Sequence, residues 1–295
     1  FPTPLEYLHL TYSTPTEKIQ EDQDFYNYKR PLDHEPTERE LKYLYNDLQV
    51  LTETLKAHIR FYGLRFKKTQ ASQSFYNFTQ HFKAWNLRFP PLSEIVDSSI
   101  RPAYWGGISY VNPRYQGEDM ENIYVYDINS SYPYQLAYKK LPYGQALAEN
   151  GQGIHPDMSK FWVAEVLCRF KLRENKIPCI PTKAIIENRP LEVDKWLEDS
   201  DGVVRLVLCS IDYQTIHLSY DVEVLSWEWS IEYAWKVQPE VASFVLENNE
   251  NKIKYSKLAK EEKDPHLKAE YQARSQRAKI DNNSFYGKIG EDIIR

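Results

Sequence analysis

The sequence predicts an α+β protein in which helical segments stand on both sides of a strand-rich middle region. Leucines recur at three- and four-residue steps between Leu41 and Ile59, which is the period of an amphipathic helix. Residues 160–230 hold the apolar and alternating runs that are typical of strands. After Pro239 the pattern turns helical again, as a polar hairpin. The length of 295 residues allows roughly two or three domains.

The N-terminal part is predicted to contain two amphipathic helices after an irregular arm. About the first thirty residues are rich in Pro and Tyr and show no steady period. A helix is then expected from Thr37, which forms a capping box with Glu40, to Gly63. A second helix is expected over residues 72–85, ahead of Pro90-Pro91. The apolar positions of the first helix are Leu41, Leu44, Leu48, Leu51, Leu55 and Ile59.

The remaining elements follow from turn residues and apolar runs. Residues 100–135 are predicted to form short strands around Gly106-Gly107. Strands are predicted over residues 161–170 and 221–229, with a helix over residues 210–219 between them. The polar hairpin is expected to turn at Asp264-Pro265, because proline favours a helix start, and to run to about Tyr286. It shows little apolar face, so we expect it to project into solvent or over a cleft.

Composition indicates neither a membrane protein nor a disulfide-rich one. No signal peptide and no apolar run of roughly 18 residues occurs, so we expect a cytoplasmic protein that does not bind a membrane. Cys168, Cys179 and Cys209 lie in apolar runs without a C-x-x-C pair, which predicts buried thiols. The net charge is −5, yet residues 251–288 carry ten Lys and Arg against five Asp and Glu. Such local positive charge suits phosphate contact.

The most informative stretch is residues 126–133, which read Y-D-I-N-S-S-Y-P. The apolar run of residues 123–125 delivers one carboxylate, that of Asp127, to a predicted strand end, and a turn of small polar residues follows. A chain can place a metal-binding Asp beside a nucleotide pocket in this way. A buried strand that ends in an Asx turn explains the same pattern without a function.

The second helix of the hairpin carries a polar face that suits a triphosphate. At roughly 100° per residue, five of its side chains fall within about 40° of a common line. They are Lys268, Gln272, Lys279, Asn283 and Tyr286. Lysine ammoniums are compact charges that match triphosphate oxygens. A solvated basic helix face explains the same spacing equally well.

Two shorter patterns are weaker signals. Residues 104–107, Y-W-G-G, combine glycines that allow close backbone approach to a phosphate chain with an aromatic that can stack on a base. The alternative is an ordinary Gly-Gly hairpin turn. Tyr43 and Asp47 share a helix face at i and i+4, and the alternative is a solvated Asp on that face.

Residues 199–202, D-S-D-G, are predicted to form a turn.

In order, these segments resemble motifs of protein-primed family B DNA polymerases, the branch found in phages and linear plasmids. Y-x-x-x-D at 43–47 resembles the third exonuclease motif, and Y-x-G-G at 104–107 resembles a DNA-contacting loop. D-x-x-S-x-Y-P at 127–133 resembles the first catalytic motif. K-x-x-x-N-S-x-Y-G at 279–287 resembles the fingers motif, and F-P-P-L-S at 89–93 matches a further short stretch.

The resemblance implies a palm-type mixed sheet, helical-hairpin fingers, a β-rich insertion and the end of an RNase H-like exonuclease domain. The implied domains are the exonuclease end at 1–66, the palm at 67–138, a branch-specific insertion at 139–240, the fingers at 241–290 and a return to the palm at 291–295. The insertion is implied to contact the terminal priming protein and DNA. The chain is thus expected to be an internal fragment, in keeping with its start at Phe1.

The resemblance also implies roles for individual residues. Asp127 is the implied catalytic metal ligand, joined by the carbonyl of Ile128, while Tyr43 and the metal ligand Asp47 belong to the exonuclease. The implied nucleotide-binding residues are Ser130, Tyr132, Lys268, Lys279, Asn283 and Tyr286. The implied DNA-binding residues are Tyr104, Gly106, Gly107, Gly287 and Lys288. Two Mg²⁺ ions, a deoxynucleoside triphosphate (dNTP), template-primer DNA and a terminal protein complete the expectation.

The sequence departs from the family pattern in two ways. No D-T-D motif follows the fingers motif, and the first two exonuclease motifs do not precede Tyr43, so we expect this chain alone neither to polymerise nor to proofread. Ser131 and Asp281-Asn282 stand where aliphatic residues are common. Asp281 is expected to add negative charge near the phosphate site.

Two alternatives stay open at this point. The chain could be a polymerase-derived module that binds DNA or a partner without catalysis. It could also be a metal-dependent hydrolase that combines Asp127 with Asp47 or Asp201. The second alternative requires those carboxylates to be close together, because paired metal ions lie roughly 3.5–4 Å apart.

Overall fold

The computed structural model of the chain describes residues 5–63, 67, 69–186 and 196–289. Its α-helices are α1 (Leu8–Tyr12), α2 (Gln23–Asn27), α3 (Glu38–Tyr62), α4 (Gln70–His81), α5 (Trp85–Arg88), α6 (Glu94–Ile100), α7 (Ser131–Tyr138), α8 (Ser210–Ser219), α9 (Pro239–Glu261) and α10 (Pro265–Ile289). Its strands are β1 (Leu141–Asn150), β2 (Phe161–Leu172), β3 (Ile180–Pro181), β4 (Trp196–Leu197), β5 (Val204–Cys209) and β6 (Tyr220–Lys236). This mixture confirms the predicted α+β class. The expected return to the palm at 291–295 lies outside the described residues.

The chain divides into two compact units. The first unit comprises Phe1–Phe82, Ser130–Tyr138 and Pro239–Arg295, and the second comprises Lys83–Asn129 and Lys139–Gln238. All strands of the described residues belong to the second unit, and the long helices α3, α9 and α10 belong to the first. The functional domain boundaries stay a prediction, because compactness alone assigns no function to a segment.

The second unit is built on a four-stranded antiparallel sheet in the order β1-β6-β2-β5. Alternate residues of a strand face opposite sides, and one side of β2 packs with β5, β6 and α8. That core includes Trp162, Ala164, Val166, Cys168, Phe170, Leu206, Leu208, Ile216 and Trp227. The predicted strands and the predicted helix over residues 210–219 are confirmed, although β6 continues to Lys236 and β1 was not predicted.

The prediction of short strands over residues 100–135 is wrong. The stretch contains 3-10 helices at Arg101–Ala103 and Pro113–Tyr115, and within the described chain no strand pairs with it. Its apolar run lies open, since Val125 is 90% exposed and Tyr126 is 89% exposed. A strand needs a ladder of hydrogen bonds to a neighbour. An apolar run without such a neighbour therefore does not become a strand.

Helix α3 begins and ends as its sequence signals predict. The backbone N–H of Thr37 donates to the Glu40 carboxylate at 2.8 Å, and the Thr37 hydroxyl accepts from the Glu40 backbone N–H at 3.3 Å. These reciprocal bonds are the expected capping box. Gly63 follows the helix with a φ of 73°, a left-handed value that favours glycine.

The arm before α3 is more ordered than predicted. Leu8 and Tyr12 of α1 are buried against Val50 and Ala57 of α3. Leu8 and Tyr12 stand four residues apart, so they share one face of a short helix and bury it together. Packing against α3 thus stabilises a segment whose own period is too short to be recognised.

The face of α3 that carries its leucines is largely exposed. We call this surface the leucine stripe: Leu41, Leu44, Leu48, Leu51 and Leu55, which are between 38% and 53% exposed. The buried side of α3 consists instead of Val50, Thr54, Ala57 and His58. The helix is amphipathic as predicted, but the side that is packed in this structure is not its leucine side.

An aromatic cluster joins α4 to both helices of the hairpin formed by α9 and α10. The ring centroid of Phe78 lies 5.5 Å from that of Phe244 in α9 and 4.6 Å from that of Phe285 in α10. Phe78 and Phe285 are at most 2% exposed. The predicted hairpin is confirmed, but its C-terminal end is packed rather than projecting into solvent.

The helix predicted over residues 72–85 is two helices in the structure. Helix α4 ends where the backbone N–H of Phe82 donates to the carbonyl of Phe78, and α5 begins at Trp85. The chain passes from the first unit to the second between Phe82 and Lys83. The helical spacing of Trp85 therefore does not reflect a face shared with α4.

The cysteines are free thiols, as predicted. Cys168 and Cys179 are buried and Cys209 is partly buried. Burial raises the pKa of the Cys168 thiol to about 12, so the thiol stays protonated and unreactive at neutral pH. In the part of the chain that the structure describes, every helix is too short or too polar to cross a bilayer.

Candidate functional site

Ser130 and Tyr132, two predicted nucleotide-binding residues, lie at the start of α7 in the first unit. Ser130 has a φ of 55°, which few residues other than glycine adopt, and this turn leads the chain into the helix. The ring of Tyr132 stacks on that of Tyr286 in α10, with centroids 4.6 Å apart and planes inclined by 14°. The structure thus brings together two predicted residues that are distant in sequence.

The polar face of α10 is open to solvent. Lys268, Gln272, Lys279 and Asn283 are exposed, and Tyr286 is partly buried. Neither Lys268 nor Lys279 forms an ion pair with any residue that the structure describes. Burial, and after it the neighbouring Tyr132, raises the pKa of the Tyr286 phenol, which therefore stays neutral at physiological pH. The face presents ammonium and amide groups beside the tyrosine stack.

Helix α9 contributes two residues that the sequence did not single out, Asn249 and Lys252. The Ser130 hydroxyl donates to Asn249 Oδ1 at 3.1 Å, and Lys252 Nζ donates to Ser130 Oγ at 3.3 Å. Asn249 and Lys252 stand at i and i+3, so they share a face. That spacing is the one sequence signal that could have indicated a polar pair on α9. Which face of α9 meets α7 is decided by packing, which the sequence does not reveal.

Asp127, the predicted catalytic carboxylate, lies in an exposed loop of the second unit. Its side chain forms no hydrogen bond or ion pair within the described residues. Magnesium prefers carboxylate and carbonyl oxygens, so Asp127 and the carbonyl of the exposed Ile128 fit its donor chemistry. A two-metal site needs further carboxylates. Among the residues that the structure describes, no group of three or more His, Cys, Asp or Glu could hold a metal ion.

The Y-W-G-G segment is a loop anchored by its tryptophan, not a hairpin turn. Trp105 packs against the core of the second unit, and its Nε1–H donates to the Pro102 carbonyl at 2.8 Å. Tyr104, Gly106 and Gly107 are exposed on this anchored loop. A Cβ placed on Gly106 would meet no atom within 4 Å, so the backbone there is open to close approach.

Tyr43 and Asp47 share one face of α3, and the structure adds Lys18 to them. Lys18 Nζ donates to Asp47 Oδ1 at 2.9 Å and to the Tyr43 hydroxyl. Burial acts to lower the pKa of Lys18, but the hydrogen bonds to Tyr43 and Asp47 outweigh it and raise that pKa. Asp47 is thus held by an ammonium rather than solvated. No sequence spacing predicts this contact, because Lys18 precedes α3 in the irregular arm.

Asp281 does not add charge to the polar face of α10, contrary to the sequence prediction. It is 9% exposed, and its carboxylate accepts from Gln70 Nε2 at 2.5 Å. Positions two residues apart on a helix lie about 200° apart. A helical projection therefore already places Asp281 away from Lys279 and Asn283, and the sequence prediction overlooked it.

The remaining predicted residues lie where the motifs place them along the chain. Gly287 is exposed and Lys288 is partly buried near the end of α10. Residues 199–202 form the predicted turn ahead of β5, because the backbone N–H of Asp201 donates to Asp199 Oδ1 at 2.9 Å and Asp201 has a φ of 47°. The backbone of Asp201 is therefore part of the turn.

Sequence comparison places phage DNA polymerases among the relatives of this chain. A family model described as DNA polymerase type B, organellar and viral, matches residues 2–295. The DNA polymerase of Bacillus phage Nf is 28% identical over 271 residues, which cover 90% of this chain and 44% of that protein. The DNA polymerase of Streptococcus phage Cp-1 is 24% identical over 86% of this chain and 43% of its own length. The chain thus spans less than half the length of these curated relatives.

Solved structures show the same fold. The orthorhombic crystal form of Phi29 DNA polymerase matches with a TM-score of 0.76 and 24% identity over 99% of this chain and 47% of that chain. Phi29 DNA polymerase complexed with primer-template DNA and incoming nucleotide substrates matches with a TM-score of 0.71 and 25% identity over 97% of this chain and 46% of that chain. The predicted fold class and the resemblance to phage polymerases are confirmed.

Proposed function

Because the chain belongs to the family described as DNA polymerase type B, organellar and viral, we propose that it is the part of a DNA-directed DNA polymerase that binds the incoming dNTP. One observation carries the proposal, namely the stack of Tyr132 on Tyr286. It joins α7, which follows the Asp127 motif in the chain, to the helix whose exposed face bears Lys279 and Asn283.

The tyrosine pair is proposed to form the sugar side of the nucleotide pocket. The ring of Tyr132 would support the deoxyribose and clash with a 2′-hydroxyl, which discriminates against ribonucleotides. Asn283 and Tyr286 would line the nascent base pair. Tyr286 is a neutral phenol at physiological pH, so it would not repel the phosphates of the same nucleotide.

Four side chains of the first unit are proposed to bind the triphosphate. They are Ser130, Lys252, Lys268 and Lys279. Hydrogen bonds from an ammonium to a phosphate are roughly twice as strong as those between neutral groups. Within the described residues none of the three lysines is paired with a carboxylate, so a phosphate would not compete with an existing ion pair.

Asp127 and the carbonyl of Ile128 would hold part of a magnesium site. When bound, two Mg²⁺ ions activate the primer hydroxyl and stabilise the leaving pyrophosphate. Asp127 is exposed and without a described partner, which supports its role as a ligand. The second catalytic carboxylate is proposed to come from a D-T-D motif that these 295 residues do not contain. The chain alone is therefore proposed to be inactive in both polymerisation and proofreading.

The other predicted residues receive supporting roles. Tyr43 and Asp47, with Lys18, are proposed to belong to a 3′–5′ exonuclease site. Template-primer DNA is proposed to contact Tyr104, Gly106, Gly107, Gly287 and Lys288. Residues 139–240 are proposed to contact a terminal protein that primes replication. The expected location is the cytoplasm of the host cell if the protein is phage-encoded.

Substituting Asp127 tests the proposal. In the full-length polypeptide, Asp127→Ala should abolish template-dependent nucleotide incorporation and leave DNA binding intact, because it removes a metal ligand without changing the basic surface. Glu121→Ala, an exposed acidic position nearby in sequence, is the matched control and should retain both. Nucleotide incorporation by Asp127→Ala at the parental rate would refute the catalytic role of Asp127. Template-dependent synthesis by the 295-residue chain itself would refute its proposed inactivity.

A polymerase-derived binding module without catalysis is the second candidate. It is consistent with the finding that, among the described residues, Asp127 is not joined by enough further His, Cys, Asp or Glu to make a group of three that could hold a metal ion. The two candidates differ over one observation, which is whether the full reading frame holds a D-T-D motif in apolar surroundings. Its absence there would favour the binding module.

A further inference from the structure

A buried polar junction joins α10 to helices near the N-terminus of the chain. It consists of Tyr12 in α1, His58 in α3, Gln70 and Ser74 in α4, and Arg277 and Asp281 in α10. Each of these side chains is at most 9% exposed, and all belong to the first unit. None of them is among the residues proposed to touch nucleotide, metal or DNA.

Two hydrogen bonds from α4 hold Asp281. Gln70 Nε2 donates to Asp281 Oδ1 at 2.5 Å, and the Ser74 hydroxyl donates to the backbone carbonyl of Asp281 at 2.6 Å. The side chain of Asp281 thus accepts one hydrogen bond from α4, and the backbone of the same residue accepts the other. Because hydrogen bonds are directional, the pair fixes both the height and the rotation of α10 against α4.

Arg277 continues the junction one helical turn earlier. Its guanidinium carbon lies 5.6 Å from the ring centroid of Tyr12, whose hydroxyl is hydrogen-bonded to His58 Nδ1 at 2.9 Å. Burial raises the pKa of Tyr12 to about 12, and burial together with Arg277 lowers the pKa of His58. Tyr12 and His58 are therefore neutral partners for a buried cation at neutral pH.

Buried charged groups are a costly way to attach one helix to another. Apolar residues of similar volume are often as stabilising or more so, whereas buried charged and hydrogen-bonded groups define a single arrangement in some proteins. Lys279 and Asn283 stand two residues on either side of Asp281, on the opposite face of α10. A rotation of α10 by about 10° moves an atom about 6 Å from its axis by about 1 Å. Displacements of that size can cost about 100-fold in rate.

We propose that Gln70, Arg277 and Asp281 are positioning residues, which set the rotation of α10 and so aim Lys279 and Asn283 at the nucleotide. The expected effect on nucleotide binding rests on the proposed function, whereas the fixed rotation of α10 rests on the contacts of the junction alone. It also gives Asp281, which departs from the family pattern, a role as a hydrogen-bond acceptor. Through Tyr12 and His58, helices α1 and α3 also belong to this junction with α10, the proposed nucleotide-binding helix.

Steady-state kinetics of the full-length polymerase test whether the junction affects nucleotide binding. Gln70→Leu removes the hydrogen bond that Gln70 donates to the Asp281 carboxylate, so the KM for dNTP should rise about tenfold and thermal stability should fall. The double variant Gln70→Leu/Asp281→Leu replaces both hydrogen-bonding partners by apolar groups, which should recover part of the stability but not a defined rotation. Its KM should stay raised. Asp281→Asn keeps an acceptor for Gln70, so the KM of this single variant should stay at the parental value.

The matched control is Gln80→Leu, the same change at an exposed position of α4, which should behave as the parent does. Positioning is refuted if Gln70→Leu leaves the KM unchanged, or if the double variant restores the KM together with stability. If Gln70→Leu does not fold, the KM values of the double variant and of Asp281→Asn test the positioning role without it.

A second measurement separates this inference from the proposed function. Spin labels at Gln80→Cys in α4 and Gln276→Cys in α10 report their mutual distance without any turnover. The distance distribution should be narrow in the parent and broad in the double variant. An equally narrow distribution in both would overturn the positioning role even if the enzyme is active. A broad one would sustain it even if the polymerase activity is not found.

Discussion

Replacing Lys252 by alanine should selectively weaken binding of the incoming triphosphate. Lys252 Nζ donates to Ser130 Oγ at 3.3 Å and forms no ion pair within the described residues. A neutral hydroxyl is a weak partner for an ammonium group, and Ser130 is itself a proposed phosphate ligand. A phosphate oxygen that reaches Ser130 would therefore also gain the stronger hydrogen bond from Lys252.

The size of the effect follows from the exposure of the lysine. A hydrogen bond that involves a charged group contributes about 1.5–3 kcal/mol. Lys252 is only partly buried, so screening by solvent reduces this contribution to about 1–1.5 kcal/mol. Since about 1.4 kcal/mol corresponds to a tenfold change, the KM for dNTP should rise about five- to tenfold. The kcat should change less if the contact is made equally in the ground state and the transition state.

Single-nucleotide incorporation by the full-length polymerase measures both parameters. Lys254→Ala is the matched control, because this lysine lies on the same helix but is exposed, with Nζ 5.5 Å from the Tyr255 ring centroid. Raising the salt concentration should shrink the difference between Lys252→Ala and the parent. An unchanged KM in Lys252→Ala would refute the reasoning. An equal rise in Lys254→Ala would refute it too, because it would indicate a general effect of lost charge.

Two further predictions concern stability and are checked by urea unfolding. Phe285→Ala should lower the free energy of unfolding by about 3–5 kcal/mol, because Phe285 is fully buried against Phe78 and Phe244; a loss below about 1 kcal/mol would contradict a core role for this cluster. His58 has a lowered pKa in the folded chain through burial and Arg277, so the unfolded chain takes up its proton first as the pH falls. The free energy of unfolding should therefore decline below about pH 6.5. His58→Gln should flatten that decline, and an unchanged slope would show that another group is responsible.

The elements that the sequence predicted well are those with local signals at both ends. Helix α3 is bounded by the Thr37 capping box and by Gly63, which act within one turn and depend little on the rest of the chain. The helix over residues 210–219 is likewise set off by apolar strands on both sides. Capping and periodicity are properties of the segment itself, so the prediction and the structure agree.

The failures share a different cause, which is dependence on a distant partner. The apolar run of residues 123–125 becomes a strand only if another strand pairs with it, and its own residues do not say whether one does. Asn249 and Lys252 join Ser130 only because α9 packs on α7. Lys18 reaches Asp47 from an arm without any period. Asp281 is the exception, because a helical projection alone contained the right answer.

The leucine stripe of α3 has a practical consequence for anyone who prepares this polypeptide. Five partly exposed leucines in a row along one helix form the kind of contiguous apolar surface that promotes non-specific association. Concentrated samples should therefore need detergent or low protein concentration, and hydrophobic dyes should bind them even when the helices are intact. Exchanging Leu44 and Leu48 for glutamate would yield a better-behaved sample for spectroscopy. The change leaves the buried side of α3 untouched, so the junction at His58 would remain available for study.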